Sequence, residues 1–238
     1  MTGSVQRRLL LAALLAAALP GAALDWQATS ESMGRRLGQF SAYLDRAFRK
    51  RSDGFAGSKD KLVVIVAGTK AGSGFIMRDG SRCWLYTNAH VVDGVPTGNV
   101  RATLLNNTVL SLGERQIALG RDIARFELAG PLPAFLPEQG MPDIGESITI
   151  LGNSDGRGVV TEIRGRILGV GPQELEVDAQ FVVGNSGSPV LNREGRVVGI
   201  ASYLRNCRSS TDWSKRNTRY NGVRRFALRL SGIRWIKR

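Results

Sequence analysis

The stretch VVGNSGSPVLN (182–192) puts a serine, Ser186, inside a glycine-bounded turn between two strand-like runs. A serine hydroxyl is a weak nucleophile until a neighbouring base takes its proton. His90, the only histidine in the chain, is such a base, since a neutral imidazole accepts a proton near pH 7. Asp122, at the head of the alternating run DIARFEL, offers the carboxylate that fixes the tautomer of the base and stabilises its charged form. Gly184 and Gly187 let the backbone turn tightly, so that the N–H groups of Gly184 and Ser186 are candidates to converge on a developing oxyanion. Together these residues would carry out acyl transfer. Singly, each has an ordinary reading: a structural histidine, an aspartate at a strand edge, a serine in a turn.

Elements that could hold them apart in sequence and together in space are abundant. From residue 61 onward the period is that of strands: KLVVIVAG, GSGFIMRDG, SRCWLYTNAHVV, VRATLLNN, TVLSLGE and DIARFELA. His90 closes the third of these runs, just before Asp93 and Gly94. Residues 130–145, rich in Pro and Gly, read as a crossing between two halves. A second series follows: ESITILG, GVVTEIRGRILGV, ELEVDAQ, GSPVLN, GRVVGIASYL and RRFALRL. About six short strands per half argue for an all-β protein built as barrels or a sandwich.

Upstream, residues 1–23 combine Arg7 and Arg8, a short apolar run and a small-residue site ending at Ala23, the pattern of a secretory signal peptide. The alternative is an uncleaved anchor, but a membrane span needs about 20 apolar residues and this run is shorter. Residues 24–60 then read as a helical extension and linker, with Met33, Leu37, Phe40, Leu44 and Phe48 at helical spacing over 25–52. The two cysteines, Cys83 and Cys207, are compatible with a disulfide in an exported protein, or with two buried thiols. Two cysteines and one histidine make a metal site unexpected.

The order His90, Asp122, Ser186, set in TNAHVV, DIARFEL and GNSGSPV, resembles that of the chymotrypsin-like (trypsin-like peptidase) serine proteases, with the bacterial HtrA-type protease domain as the nearest branch. The likeness covers roughly 62–230 and includes GSGFIMRDG, EVDAQFVVGNSGSPVLNREGRVVGIASY and RRFALRL. It implies two packed antiparallel β-barrels, about 61–140 and 141–238, with the active site in the cleft between them. It makes His90 the general base, Asp122 its orienting partner and Ser186 the nucleophile, with Gly184 and Ser186 as the oxyanion hole. Ser202 falls beside Asp122 or along the substrate backbone, and Gln180 near the base of the specificity pocket, whose walls lie near 201–205 and 224–228. Small or medium apolar side chains are the substrates the likeness implies. Whether Arg224 and Arg225 draw acidic residues or point outward stays open.

Three departures stand out. Ser188 replaces a glycine common two places after the nucleophile. Asn185 stands where digestive proteases carry an aspartate that pairs with a freed N-terminus, so activation by that route is not expected. Only 47 residues follow Leu191, too few for the PDZ domain of the HtrA type, so its cage and regulation are not expected either.

The net charge of +13, or +11 without Arg7 and Arg8, favours acidic partners such as an acidic polymer or envelope surface, or is simply a basic surface. No compact Lys/Arg run with interleaved aromatics stands out in the middle of the chain, so nucleic acid is not expected as a partner. The tail, 205–238, is strongly basic and reads as a dock for an acidic polymer or membrane surface, or as an ordinary basic surface. The sequence therefore predicts a periplasmic or secreted serine endopeptidase acting on protein or peptide without a cofactor. The alternative is a catalytically silent, protease-shaped binding protein that uses its cleft or basic surface.

Overall fold

The structure, a computed structural model, describes residues 57–154, 158–207 and 222–238. The expected leader, the helix expected over 25–52 and residues 208–221 of the basic tail lie outside the described residues.

Six strands form the first half: β1 (Leu62–Ala67), β2 (Lys70–Asp79), β3 (Arg82–Thr87), β4 (Val100–Leu104), β5 (Leu112–Ala118) and β6 (Ala124–Leu128). One helical turn, α1 (Ala89–Val92), follows β3. The second half contains β7 (Ser147–Asn153), β8 (Val160–Val170), β9 (Glu174–Val177), β10 (Pro189–Leu191), β11 (Val197–Cys207) and β12 (Gly222–Leu228). A last short strand, β13 (Trp235–Lys237), ends the chain.

The first sheet runs β4-β1-β2-β3-β6-β5-β13 and curls as a half-barrel, while the second closes on itself as β7-β8-β9-β12-β11-β10. Every named strand pair is antiparallel. Pairing of Val190 with Ile150 closes the six-stranded barrel and leaves it no free edge. Composition explains the strands. β1 is the apolar, largely β-branched run LVVIVA and is buried along most of its length, whereas β8 alternates between half-buried and exposed positions.

Each half has its own core, built on Ile65, Leu85 and Phe126 in the first and Ile150, Ile167 and Val190 in the second. A third cluster joins them: Phe75, Tyr86 and Phe135 pack with Leu151, Leu191 and Ile200. The Pro- and Gly-rich crossing does more than connect. Phe135 bonds β2 through both its N–H, to Ile76 O, and its C=O, from Arg78 N, while Val197 of β11 donates to Leu136 O and accepts from Glu138 N. The segment is thus laced to both halves.

Two details differ from the sequence expectation. The run TVLSLGE was read as a strand from 108, but β5 starts at Leu112. Residues 105–108 are spent in a turn, with Asn107 at φ 68° and its N–H on Leu104 O. The chain also returns at its end to the first sheet, where β13 pairs with β5. There Trp235 and Trp84 sandwich the buried Arg125, whose guanidinium lies 4.1 and 3.9 Å from the two ring centroids. Cys83 is a free, buried thiol. Among the described residues no helix is long and apolar enough to cross a membrane.

Candidate active site

The sequence read His90 as the end of a strand. β3 in fact stops at Thr87, and His90 sits in α1, which turns the chain toward Asp122. The two are joined twice: His90 N donates to Asp122 Oδ1 at 2.8 Å, and Nδ1 lies 2.6 Å from Asp122 Oδ2. The backbone bond fixes which way the carboxylate faces, and the side-chain bond then fixes the ring.

A third donor reaches the same carboxylate. Ser202 Oγ donates to Asp122 Oδ2 at 3.0 Å, and Asn88 Nδ2 donates both to Ser202 Oγ at 3.2 Å and to Asp122 O at 2.7 Å. Burial is the strongest influence on Asp122 and opposes its ionisation. The bonds from His90 and Ser202 together outweigh it and hold the carboxyl below the usual aspartate value. An ionised carboxylate only accepts, so Nδ1 carries the proton and Nε2 is left as the basic nitrogen. The His90 ring is half-exposed, open to water and to an incoming group.

Ser186 lies in a turn held largely by backbone pairing. Ser188 N donates to Asn185 O, Asn185 N to Val182 O, and Gly187 N to Ala201 O, each at about 3 Å. The buried Asn185 closes the loop by accepting from Val182 N through its side chain at 2.9 Å, in place of any outside charge.

Across from the turn, Ser73 of β2 is the clamp. Its N–H donates to Ser186 O and its hydroxyl to Gly184 O, both at 2.8 Å. Ser73 is itself held by Thr87 Oγ1 and Asn153 N. The approach is so close that a Cβ at Gly187, where φ is +90°, would lie 2.0 Å from Ser73 O. A Cβ at Gly72 would sit 2.9 Å from Val91. The N–H groups of Gly184 and Ser186 have no acceptor among the described residues.

The Ser186 hydroxyl donates to Ser202 O at 3.2 Å rather than to the imidazole. Ser202 therefore links both parts, by its hydroxyl to Asp122 and by its carbonyl to Ser186. Gln180 is exposed, donates to Asp178 O and lines a surface depression with Arg164, Arg166 and Arg193. Asn88, Ser73, Thr87 and Asn153 were not singled out from the sequence. The available signals were the polar Thr87-Asn88 step in an apolar run and the Gly-Ser-Gly triplet at 72–74.

The family model of the trypsin-like peptidase domain matches residues 72–200, from the clamp strand through the Gly184–Gly187 turn to β11. The chain belongs to the trypsin-like peptidase family. Among its relatives, the serine protease Do-like HtrB of Bacillus subtilis is 32% identical over 151 residues, 55% of this chain and 32% of that protein. The glutamyl endopeptidase of Staphylococcus epidermidis is 27% identical over 161 residues, 58% of this chain and 56% of its own. The chain thus spans from about a third to just over half the length of these curated relatives.

Solved structures share the fold of this trypsin-like peptidase domain. A serine endoprotease of Yersinia pestis aligns with a TM-score of 0.55 at 23% identity, covering 75% of this chain and 61% of that one. The active form of a Mycobacterium tuberculosis protease aligns at 0.58 and 19% identity, covering 74% and 78%. The two-barrel chymotrypsin-like fold expected from the sequence is the fold of the protein.

Proposed function

We propose that this chain is an exported serine endopeptidase that cleaves peptide bonds through a His90-Asp122-Ser186 triad and an acyl-enzyme. The observation that carries this reading is the doubly bonded His90–Asp122 pair, linked by Ser202 to a serine whose turn leaves two N–H groups without acceptors. With the proton on Nδ1, His90 Nε2 is free to receive the Ser186 proton once the hydroxyl turns from Ser202 O. That rotation exchanges one hydrogen bond for another at little net cost.

Ser186 Oγ then bonds to the substrate carbonyl carbon, and the carbonyl oxygen takes the negative charge between the N–H groups of Gly184 and Ser186. Asp122 stabilises the imidazolium so formed. As the C–N bond breaks, His90 returns the proton to the leaving amine. Water, deprotonated by the same nitrogen, attacks the ester and regenerates Ser186. Ser202 O, vacated by the hydroxyl, is available to the N–H of the residue being acylated.

Export rests on the leader at 1–23, and the basic charge suits residence against an acidic envelope surface. Labelling of the purified protein with a fluorophosphonate, with and without residues 24–60, tests the catalytic reading. An adduct on Ser186 that is absent from Ser186→Ala and strongly reduced in His90→Ala is expected. Folded protein that takes no label would overturn the reading and leave the silent cleft-binding alternative.

A further inference from the structure

Arg225 lies on β12 opposite Leu204 of β11, two residues beyond Ser202. Its Nε donates to Phe181 O at 3.0 Å, and one Nη1 bond reaches Val223 O at 3.4 Å. Phe181 opens the segment whose turn carries Ser186, and Phe181 itself is buried in the barrel core. The guanidinium therefore spans the gap between the two pieces of chain that flank Ser186: the β11–β12 wall on one side and the 181–186 segment on the other.

A residue acylated on Ser186, with its N–H toward Ser202 O, must send its side chain into that gap. Arg225 is the cation held there. Its neighbour differs. Arg224 faces the opposite side of the strand and forms a bidentate pair with Glu176 at 2.6–2.7 Å. Arg225 has no carboxylate partner among the described residues, and its Nη2 makes no bond there.

Arg225 is part-buried, and this loss of water, uncompensated by an anion, lowers its pKa. A part-desolvated cation without a counter-ion is a cost to the fold that an incoming carboxylate offsets. The acids of the neighbouring strand are engaged elsewhere: Glu176 with Arg224, Glu174 with the Tyr203 hydroxyl, and Asp178, next to the Val177 that faces Arg225, with Arg166 N.

We propose that Arg225 is the specificity-determining residue of the site and that the enzyme cleaves on the carboxyl side of acidic residues, Glu or Asp. This rests on the serine-endopeptidase reading above and departs from the apolar preference that the family likeness implied. Gln180 donates to Asp178 O and lines the outer depression with Arg164, Arg166 and Arg193.

The test uses the full chain and peptides that differ only in the residue before the cleaved bond: Glu, Asp, Gln, Leu or Lys. Rates are divided by the fraction of Ser186 titrated with fluorophosphonate. Glu should be turned over at least about tenfold faster than Gln, the size expected for one charge-assisted hydrogen bond in a part-buried site. Arg225→Gln, which keeps a donor for Phe181 O, should bring the two within about twofold. Arg225→Lys, a point charge without the fork, should fall between. Either variant that labels carries the test. Labelled wild-type enzyme that treats Glu and Gln alike would overturn the proposal and leave the endopeptidase reading standing. So would an acidic preference unchanged in a labelled variant. Folded protein that neither labels nor cleaves would overturn both.

Discussion

The His90–Asp122 pair and the Gly184–Gly187 turn meet at one residue, Ser202, but are held in unlike ways. Asp122 is fixed by side chains and one N–H, with donors from His90 and Ser202, and the His90 ring stands half in solvent. The turn is fixed by backbone bonds and by the buried side chains of Ser73 and Asn185. The pair can therefore be disabled chemically with its scaffold intact, whereas the turn can be disabled only by moving the chain. This follows from what each must supply. The pair provides one basic nitrogen in one tautomer, set by a few directional bonds. The turn, in the proposed mechanism, must aim two N–H groups at one point, which only a fixed backbone can do.

The sharpest way to separate the two is Asp122→Asn. The amide can still accept from His90 N through its oxygen, so the fold should survive. The NH2 group now placed against Nδ1 forces the imidazole proton to Nε2, and the base is lost. By analogy with other triads, kcat should fall by about 10,000-fold. The same variant has a stability signature. Asp122 titrates below its usual 3.8 in the folded protein. Its charged form therefore contributes stability above about pH 3.8, and that contribution is lost as the pH falls from there through the lower folded value. Denaturant midpoints at about pH 5 and pH 3 should drop less in Asp122→Asn than in wild type. A variant that is globally unfolded, or one as active as wild type, would break the contrast from the side of the pair.

Gly187→Ala attacks the turn. Its methyl would meet Ser73 O, and the residue would be held at φ +90° without glycine's freedom. A loss of at least about 2 kcal/mol in unfolding free energy is expected. Ser186 labelling should fall with it, because the clamp that orders the turn is the atom displaced. Unchanged thermal stability with full labelling would mean that the turn is softer than its close contacts imply.

The same contrast sets what the sequence could reveal. His90, Asp122 and Ser186 could be singled out because the proposed acyl transfer demands those chemical types, whatever the fold. Their helpers could not be. Ser73 acts on Gly184 from 111 positions away, through backbone carbonyls that any sequence possesses. Asn88 works through a hydroxyl and a main-chain oxygen, neither of which marks the chain. The strand series and the crossing were legible from period and punctuation. The start of β5 was not, because a left-handed Asn107 reset the pairing. The direction of Gln180 was hidden for a related reason: it lies outside any strand, so alternation assigns it no face. Arg224 and Arg225 are adjacent, and alternation puts them on opposite faces. Only the register of β12 against β11 and β9 tells which one borders the site.

Ser188 gives the smallest effect and the finest probe of the turn. Its backbone is fully engaged, donating to Asn185 O and accepting from Ala201 N. Its hydroxyl is buried against the α-carbon of Gly152 and has no partner among the described residues. The sequence flagged this position because a glycine is common there. The larger residue fits because Gly152 leaves room: a Cβ at Gly152 would lie only 1.7 Å from Ser188 Oγ. A buried hydroxyl without a partner lowers stability by about 1–3 kcal/mol. Ser188→Ala keeps the methylene and every backbone bond while removing that oxygen, so unfolding free energy should rise by about 1 kcal/mol and Tm by about 2–4 °C. A fall of similar size would mean that the hydroxyl finds a partner outside the chain. The turn would then rest on a third side-chain bond, beside those of Ser73 and Asn185.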